Sequence, residues 1–177
     1  MSAEGPASEQ KRFGTGMFVL AWLAFMGLLG AWFNETLEQQ HNPNQDLQTR
    51  LASDGVREVR LQRNRAGHYV TDGEINGHKV VFMLDTGATG VAIPAQLARK
   101  LAIPRGQAYQ TQTANGMSVA YATVLASVSV GDISLQQVSA GITPGLQTNE
   151  VLLGMSFLKH IEFSQRGDSM LLRQYPN

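Results

Sequence analysis

The sequence predicts a small, mainly β domain of barrel-like or sandwich-like form, preceded by one membrane-spanning helix. Three observations predict it: an uncharged apolar run near the N-terminus, short extended runs that turn about every 8–15 residues, and Asn-Gly pairs suited to hairpin turns. At 177 residues, the chain is long enough for one folded domain and an additional segment.

The apolar run extends from Phe13 to Phe33 without a charge. As a helix it spans roughly 31 Å, which is about the thickness of a bilayer core. Lys11 and Arg12 precede it and Glu35 follows it, so the positive-inside rule keeps residues 1–12 in the cytoplasm and exports the rest beyond an anchor at 13–33. A cleaved signal peptide and a buried core helix are the alternatives, but the run is long for either.

Residues 34–56 are predicted to form a polar linker, because their few apolar residues show no sustained period. Pro43 breaks any long helix there, and a short helix is expected around Gln45–Ala52. The folded domain is then expected over residues 57–177.

Strand and turn signals fill this domain. Asn76-Gly77 and Asn115-Gly116 each separate two extended runs, as type I′ hairpin turns do, and Pro94 is placed to start a short helix. The expected elements are strands over 68–75 and 78–84, a short strand at 91–93, a helix from 95, a hairpin around 115–116, a turn at 131–132, an apolar segment 151–154 and a closing hairpin at 166–168.

Composition argues against several classes of function. The chain has no cysteine, which removes thiol nucleophiles, disulfides and cysteine-ligated zinc, and its zero formal net charge gives no nucleic-acid footprint. The four histidines do not cluster with carboxylates at ligand spacing, so we expect neither a metal nor another cofactor.

Asp85 is unusual because it ends an apolar strand, where a carboxylate is costly unless it has partners or a chemical role. Thr86 adds a hydroxyl that can form a hydrogen bond to a neighbouring loop. Gly87 lets the backbone turn sharply and lets another chain segment approach closely.

The stretch Leu84–Ala88 resembles the active-site loop of retropepsin-like (retroviral-type) aspartic proteases, in particular the membrane-anchored bacterial ones. The resemblance continues in order with a flap hairpin at Ala114–Met117 and an apolar-apolar-Gly element at Leu152–Gly154. It covers about residues 57–177 and implies a small, closed, barrel-like acid-protease fold with one or two short helices.

Catalysis in this family needs two carboxylates that share one proton around a bridging water. No other aspartate in the sequence follows an apolar strand and precedes Thr-Gly or Ser-Gly. The second carboxylate is therefore expected to be Asp85 of an identical chain, paired across a two-fold axis.

The resemblance implies roles for the surrounding residues. Asp85 is catalytic, Thr86, Gly87 and Ala88 support the active-site loop, and Asn115 and Gly116 at the flap tip bind substrate. The family usually has acidic residues after Asp-Thr-Gly-Ala that hold the substrate backbone. These positions are Thr89 and Gly90 here, so the residues expected to hold the substrate backbone differ from the family pattern.

The expected protein is a homodimeric aspartic endopeptidase of peptides or unfolded proteins, anchored in a bacterial inner membrane and facing the periplasm. A non-catalytic peptide-binding or scaffolding dimer of the same fold is the alternative. A purely structural membrane dimer leaves the order of the motifs unexplained. If the hairpin register at Asn76-Gly77 holds, His68 lies opposite Asp85; otherwise it is an ordinary surface histidine.

Overall fold

The structure, a computed structural model, describes residues 7–52, 54–113 and 116–176. The chain divides between Gln39 and Gln40 into two compact units. The helices and strands of the described residues, in chain order, are α1 (Ala7–His41), β1 (Thr49–Leu51), β2 (Arg57–Gln62), β3 (Val70–Ile75), β4 (His78–Leu84), β5 (Val91–Pro94), α2 (Ala95–Lys100), β6 (Ala108–Thr113), β7 (Gly116–Val130), β8 (Ile133–Thr143), β9 (Val151–Leu153), α3 (Met155–Leu158), β10 (Glu162–Arg166) and β11 (Ser169–Gln174).

The first unit contains the apolar part of α1. The stretch Gly16–His41 has a mean hydropathy of 1.9 in its most apolar window, and none of that window is buried. This helix is long and apolar enough to cross a membrane, a property that it shares with signal sequences. It ends at His41, because a proline at 43 disfavours helical backbone angles at the residue before it.

The second unit contains two sheets. The smaller sheet has the antiparallel order β1-β2-β11-β10, and the larger one has the order β3-β4-β9-β5-β8-β7-β6. An additional pairing of β3 with β7, which sets Ile75 opposite Val128, closes the larger sheet into a ring. The mainly β fold predicted from the sequence is confirmed.

One hydrophobic core joins both sheets. Alternate residues of β2 and β11 are buried, as period-2 strands with one covered face require, and Val59 and Leu172 have no exposed surface. They belong to the same cluster as Phe82 of β4, Leu153 of β9 and Phe157 of α3. The core therefore lies directly beneath the end of β4, where Asp85 follows.

The hairpin predicted at Asn76-Gly77 is confirmed. Both residues have positive φ, 52° and 78°, as a type I′ turn requires, and Ile75 lies opposite His78. The pairing continues in the same register to Tyr69, whose carbonyl accepts the N–H of Leu84 at 2.9 Å.

The short helix expected around Gln45–Ala52 is wrong. Thr49–Leu51 instead form β1, which pairs with β2, and Asn44 forms an isolated bridge with Thr71. Specific polar contacts outweigh helix propensity here: the Thr49 hydroxyl accepts the N–H of Asp132 at 2.9 Å. Part of the segment predicted as a polar linker thus belongs to the second unit, which begins at Gln40.

Candidate active site

Asp85 lies where two parallel strands end together. β4 and β9 are parallel, with Leu84 opposite Leu153, and the N–H of Asp85 donates to the Leu153 carbonyl at 3.2 Å. The buried side chain of Phe82 fixes the end of β4 in the core. Its backbone consequently holds Asp85 at the C-terminal end of β4, while its half-buried side chain reaches the loop.

The loop after β4 folds around the Asp85 carboxylate. The Oδ1 atom accepts the N–H of Gly87 at 2.9 Å, and the backbone carbonyl of Asp85 accepts the N–H of Ala88 at 3.2 Å. A side chain on Gly87 would bring a Cβ to 3.1 Å from the same Oδ1 atom, so glycine suits this tight turn. Among the described residues, nothing donates to Oδ2, which leaves that oxygen open for chemistry.

The loop is supported from behind by Gly154 and α3. A Cβ on Gly154 would lie 2.3 Å from the Gly90 carbonyl oxygen and 2.6 Å from that of Ala88, so only glycine fits between them. The N–H of Met155 donates to the Ala88 carbonyl at 2.8 Å. The position that the resemblance gives to Leu152–Gly154, behind the loop, agrees with these contacts.

Ser156 is a supporting residue that the sequence reasoning missed. Its Oγ accepts the N–H of Val91 at 2.9 Å, and Val91 is only 1% exposed. The hydroxyl therefore satisfies a buried donor at the start of β5 and fixes the far end of the loop. A hydroxyl residue two positions after the glycine at 154 was the available sequence signal.

Thr86 and Gly87 are exposed on the surface of the single chain, whereas Ala88 is half-buried. Within the described part of the chain, the Thr86 hydroxyl forms no hydrogen bond to another residue. The tip of the loop is therefore accessible to another molecule, while its base is fixed.

The flap hairpin predicted around Asn115-Gly116 consists of β6 and β7. Thr113 lies opposite Gly116, which has a φ of 103° and is the first residue of β7, so the turn expected at Asn115-Gly116 does not include Gly116. Asn115 lies outside the described residues. The exposed side chains of Met117 and Val119 give the described part of the β7 arm an apolar surface.

The base of the flap is held by two contacts. The guanidinium of Arg105 lies 5.0 Å from the centre of the Tyr121 ring, within cation–π range. The N–H of Gly106 donates to the Ala122 carbonyl at 2.8 Å. These contacts fix the root of the hairpin.

The other aspartates lie away from the loop. Asp72 on β3 lies opposite Val81, four residues before Asp85 and so roughly 13 Å along β4. Asp132 occupies the turn between β7 and β8, and Asp168 contacts Arg63. Asp46 lies near Asp72, and Asp54 lies near Tyr175, so Asp85 is the one aspartate at this loop among the described residues.

His68 is exposed, and its backbone N–H donates to the Asn64 side chain at 2.9 Å. The register that sets it opposite Asp85 extends as far as Tyr69 and Leu84. No three His, Cys, Asp or Glu side chains come together as a potential metal site within the residues that the structure describes.

A β domain with an Asp-Thr-Gly loop at a strand end, a glycine packed behind that loop and a hairpin flap has the features of an aspartic-protease half-site. Residues 71–160 match the family described as "gag-polyprotein putative aspartyl protease". The chain belongs to the retropepsin-like aspartic protease family.

Relatives of known sequence agree with this assignment. An uncharacterized protein of Sinorhizobium sp is 32% identical over 125 residues, covering 68% of this chain and 54% of that protein. An uncharacterized protein of Rickettsia prowazekii is 30% identical over 124 residues, covering 68% and 52%. The chain thus spans about half the length of these curated relatives.

A solved structure shares the fold. The retropepsin-like aspartic protease from Rickettsia conorii matches with a TM-score of 0.55 and 27% identity, over 73% of this chain and 95% of that one. The recognition of the family from the sequence is therefore confirmed.

Proposed function

We propose that the protein is an aspartic endopeptidase that is active as a homodimer, with one Asp85 from each chain. The observation that carries the proposal is the difference between the hydrogen bonding of the two Asp85 carboxylate oxygens. Oδ1 is held by the Gly87 N–H at 2.9 Å, while Oδ2 has no donor among the described residues. A carboxylate oriented in this way can bind a water on its open side.

The mechanism requires two such carboxylates, of which one holds a proton. The unprotonated Asp85 takes a proton from the bridging water as that water attacks the peptide carbonyl carbon. The protonated Asp85 of the other chain donates to the carbonyl oxygen. The described chain contains only one carboxylate at the loop, so a second copy related by a two-fold axis is the source of the other.

The exposed loop tip supports this pairing. Thr86 is available to donate a hydrogen bond across the dimer axis, Gly87 leaves room for the substrate backbone, and Ala88 supports the loop from within. Gly116 and Asn115, at the flap tip, would cover a bound peptide. An extended substrate would pair with main-chain groups in the manner of strand addition.

We further propose that α1 anchors the protein in a bacterial inner membrane, with residues 1–12 in the cytoplasm and residues 57–177 in the periplasm. The apolar window with a mean hydropathy of 1.9 supports an anchor, and Lys11 and Arg12 support the orientation. Confinement to a membrane raises the effective concentration of the chains and favours their pairing.

The test is a comparison of the full chain in detergent micelles with Asp85→Asn, using an unfolded protein as substrate between pH 3 and 7. Asp132→Asn, which alters an exposed turn, is the matched control. We expect cleavage by the parent and the control and none by Asp85→Asn. Binding of the substrate without cleavage by the parent would favour the non-catalytic peptide-binding module instead.

Mixing the chains tests the dimer. With a ninefold excess of Asp85→Asn chains, random pairing leaves about one tenth of parent chains in parent–parent dimers, so activity per parent chain falls about 10-fold. An equal excess of Asp132→Asn chains, which are themselves expected to be active, leaves the activity per total chain unchanged. Constant activity in the presence of Asp85→Asn, while cross-linking detects mixed pairs, would refute a shared active site.

A further inference from the structure

Four residues at the start of the second unit are held against the β domain by hydrogen bonds. We name residues 41–44 the strap. The side chains of Asn42 and Asn44 are buried, with residue exposures of 6% and 5%. Buried asparagines must find hydrogen-bond partners, and the partners of the strap lead to the active-site strands.

Asn44 uses its whole side-chain amide. Oδ1 accepts the N–H of Gln62 at 2.7 Å, and Nδ2 donates to the carbonyls of Gln62 at 2.9 Å and Val70 at 2.7 Å. Its backbone carbonyl accepts the hydroxyl of Thr71 at 3.2 Å. The strap therefore joins the end of β2 to the start of β3.

Asn42 and His41 add further links. Asn42 donates from Nδ2 to Oδ1 of Asp72 on β3 at 2.6 Å, and its own Oδ1 accepts the N–H of Asn44 at 3.0 Å. Asn64 donates to the His41 carbonyl at 2.9 Å. The strap is thus held along its length.

The His41 ring contacts the residue that leads into another strand, β9. Its Nε2 contacts Oε1 of Glu150, which is only 8% exposed and directly precedes β9. Among the described residues, His41 is the only side-chain partner of this carboxylate. Three residues later, the Leu153 carbonyl accepts the N–H of Asp85.

The strap therefore contacts β3 and the residue that leads into β9, the two neighbours of β4. In the larger sheet, β4 lies between β3 and β9. Asn42 and Asn44 bind β3, and His41 binds the residue that leads into β9. The two strands then flank β4, which ends at Leu84 and positions Asp85.

We propose that the strap is a positioning element of the active site, which sets the placement of Asp85 by holding β3 and β9 on either side of β4. His41 and Glu150 are then positioning residues that never touch the substrate. The catalytic consequence rests on the proposed function, whereas the mechanical coupling does not.

Hydrogen exchange of the full chain in detergent micelles tests the coupling without any activity. The variant is His41→Ala, made in an Asp85→Asn background so that the chains cannot digest one another. His78→Ala, at an exposed hairpin position, is the matched control. We expect faster exchange over residues 82–88 and 150–156 in the His41→Ala chain and no such change in the His78→Ala chain. Unchanged exchange over residues 82–88 would overturn the proposal, whatever happens over residues 150–156.

Activity provides the second measurement, in chains that keep Asp85. We expect His41→Ala to lower kcat about 10-fold with KM nearly unchanged, since misplacement by about 1 Å can cost up to 100-fold. If the parent itself cleaves nothing, the proposed function fails, and the exchange result still decides the coupling.

A second variant separates positioning from loss of stability, because His41→Ala leaves a buried carboxylate unpaired. Adding Glu150→Gln removes that charge and should restore the unfolding temperature. We expect kcat and exchange protection to stay low in this double variant. Full recovery of both would overturn the proposal, since the strap would then serve stability alone.

Discussion

Replacement of Gly154 by alanine tests the support of the loop that follows Asp85. The new Cβ would lie 2.3 Å from the Gly90 carbonyl oxygen and 2.6 Å from that of Ala88. Both atoms belong to the backbone, so no side-chain rotation relieves the overlap, and the loop or α3 must shift. Overpacking of this kind costs about 1–3 kcal/mol, and two backbone contacts point to the upper end.

The assay is thermal unfolding of the full chain in detergent. For a domain of this size, about 3 kcal/mol corresponds to a fall in Tm of roughly 10 °C. Gly90→Ala is the matched control, because its Cβ would meet the Ser156 Oγ at 3.7 Å, an ordinary contact. Equal Tm values for Gly154→Ala and Gly90→Ala would refute the steric reasoning.

Three further predictions follow from single contacts. Burial raises the pKa of Asp72 above its usual 3.8, although a hydrogen bond from Asn42 lowers it. The folded protein therefore binds this proton more tightly than the unfolded chain does, and the stability that the proton contributes is lost as pH rises through the pKa of the folded state. Asp72→Asn should therefore gain Tm relative to the parent as pH rises from about 3.5 to about 6.5; a gain that shrinks would contradict this. Ser156→Ala leaves the buried N–H at the start of β5 without an acceptor and should cost about 1–3 kcal/mol in denaturant unfolding, unlike Ser134→Ala at an exposed position; equal losses would count against the role of the hydroxyl. The Tyr175 hydroxyl, at 2.6 Å, is the main cause of a lowered pKa at Glu162, so Tyr175→Phe should move the NMR titration of that carboxyl to higher pH, and an unmoved titration would contradict the assignment.

Local signals in the sequence predicted the elements around the site. Asn76-Gly77 predicted the turn, and a two-residue turn fixes the pairing of every residue in the hairpin that it joins. The apolar run before Asp85 predicted a strand that enters the core, as the burial of Phe82 confirms. These features depend on neighbours in sequence, which is why they could be read without a structure.

The strap and Ser156 could not be predicted in this way. Asn44 binds backbone groups 18 and 26 residues away, and a buried asparagine in a polar segment leaves no hydrophobic period to detect. The same segment suggested a short helix, because propensity ignores partners distant in sequence. Ser156 likewise acts on a donor 65 residues away.

In the proposed dimer, the site would be one rigid half of a catalytic centre with an open face. Backbone bonds from Leu153 and Gly87 fix Asp85 on the inner side, and Gly154 and Ser156 fix the loop behind it. Such rigidity suits the proposed mechanism, because a carboxylate that shares a proton with its twin would tolerate little misplacement. The loop tip remains exposed, and the proposed function assigns it to contact with a second chain.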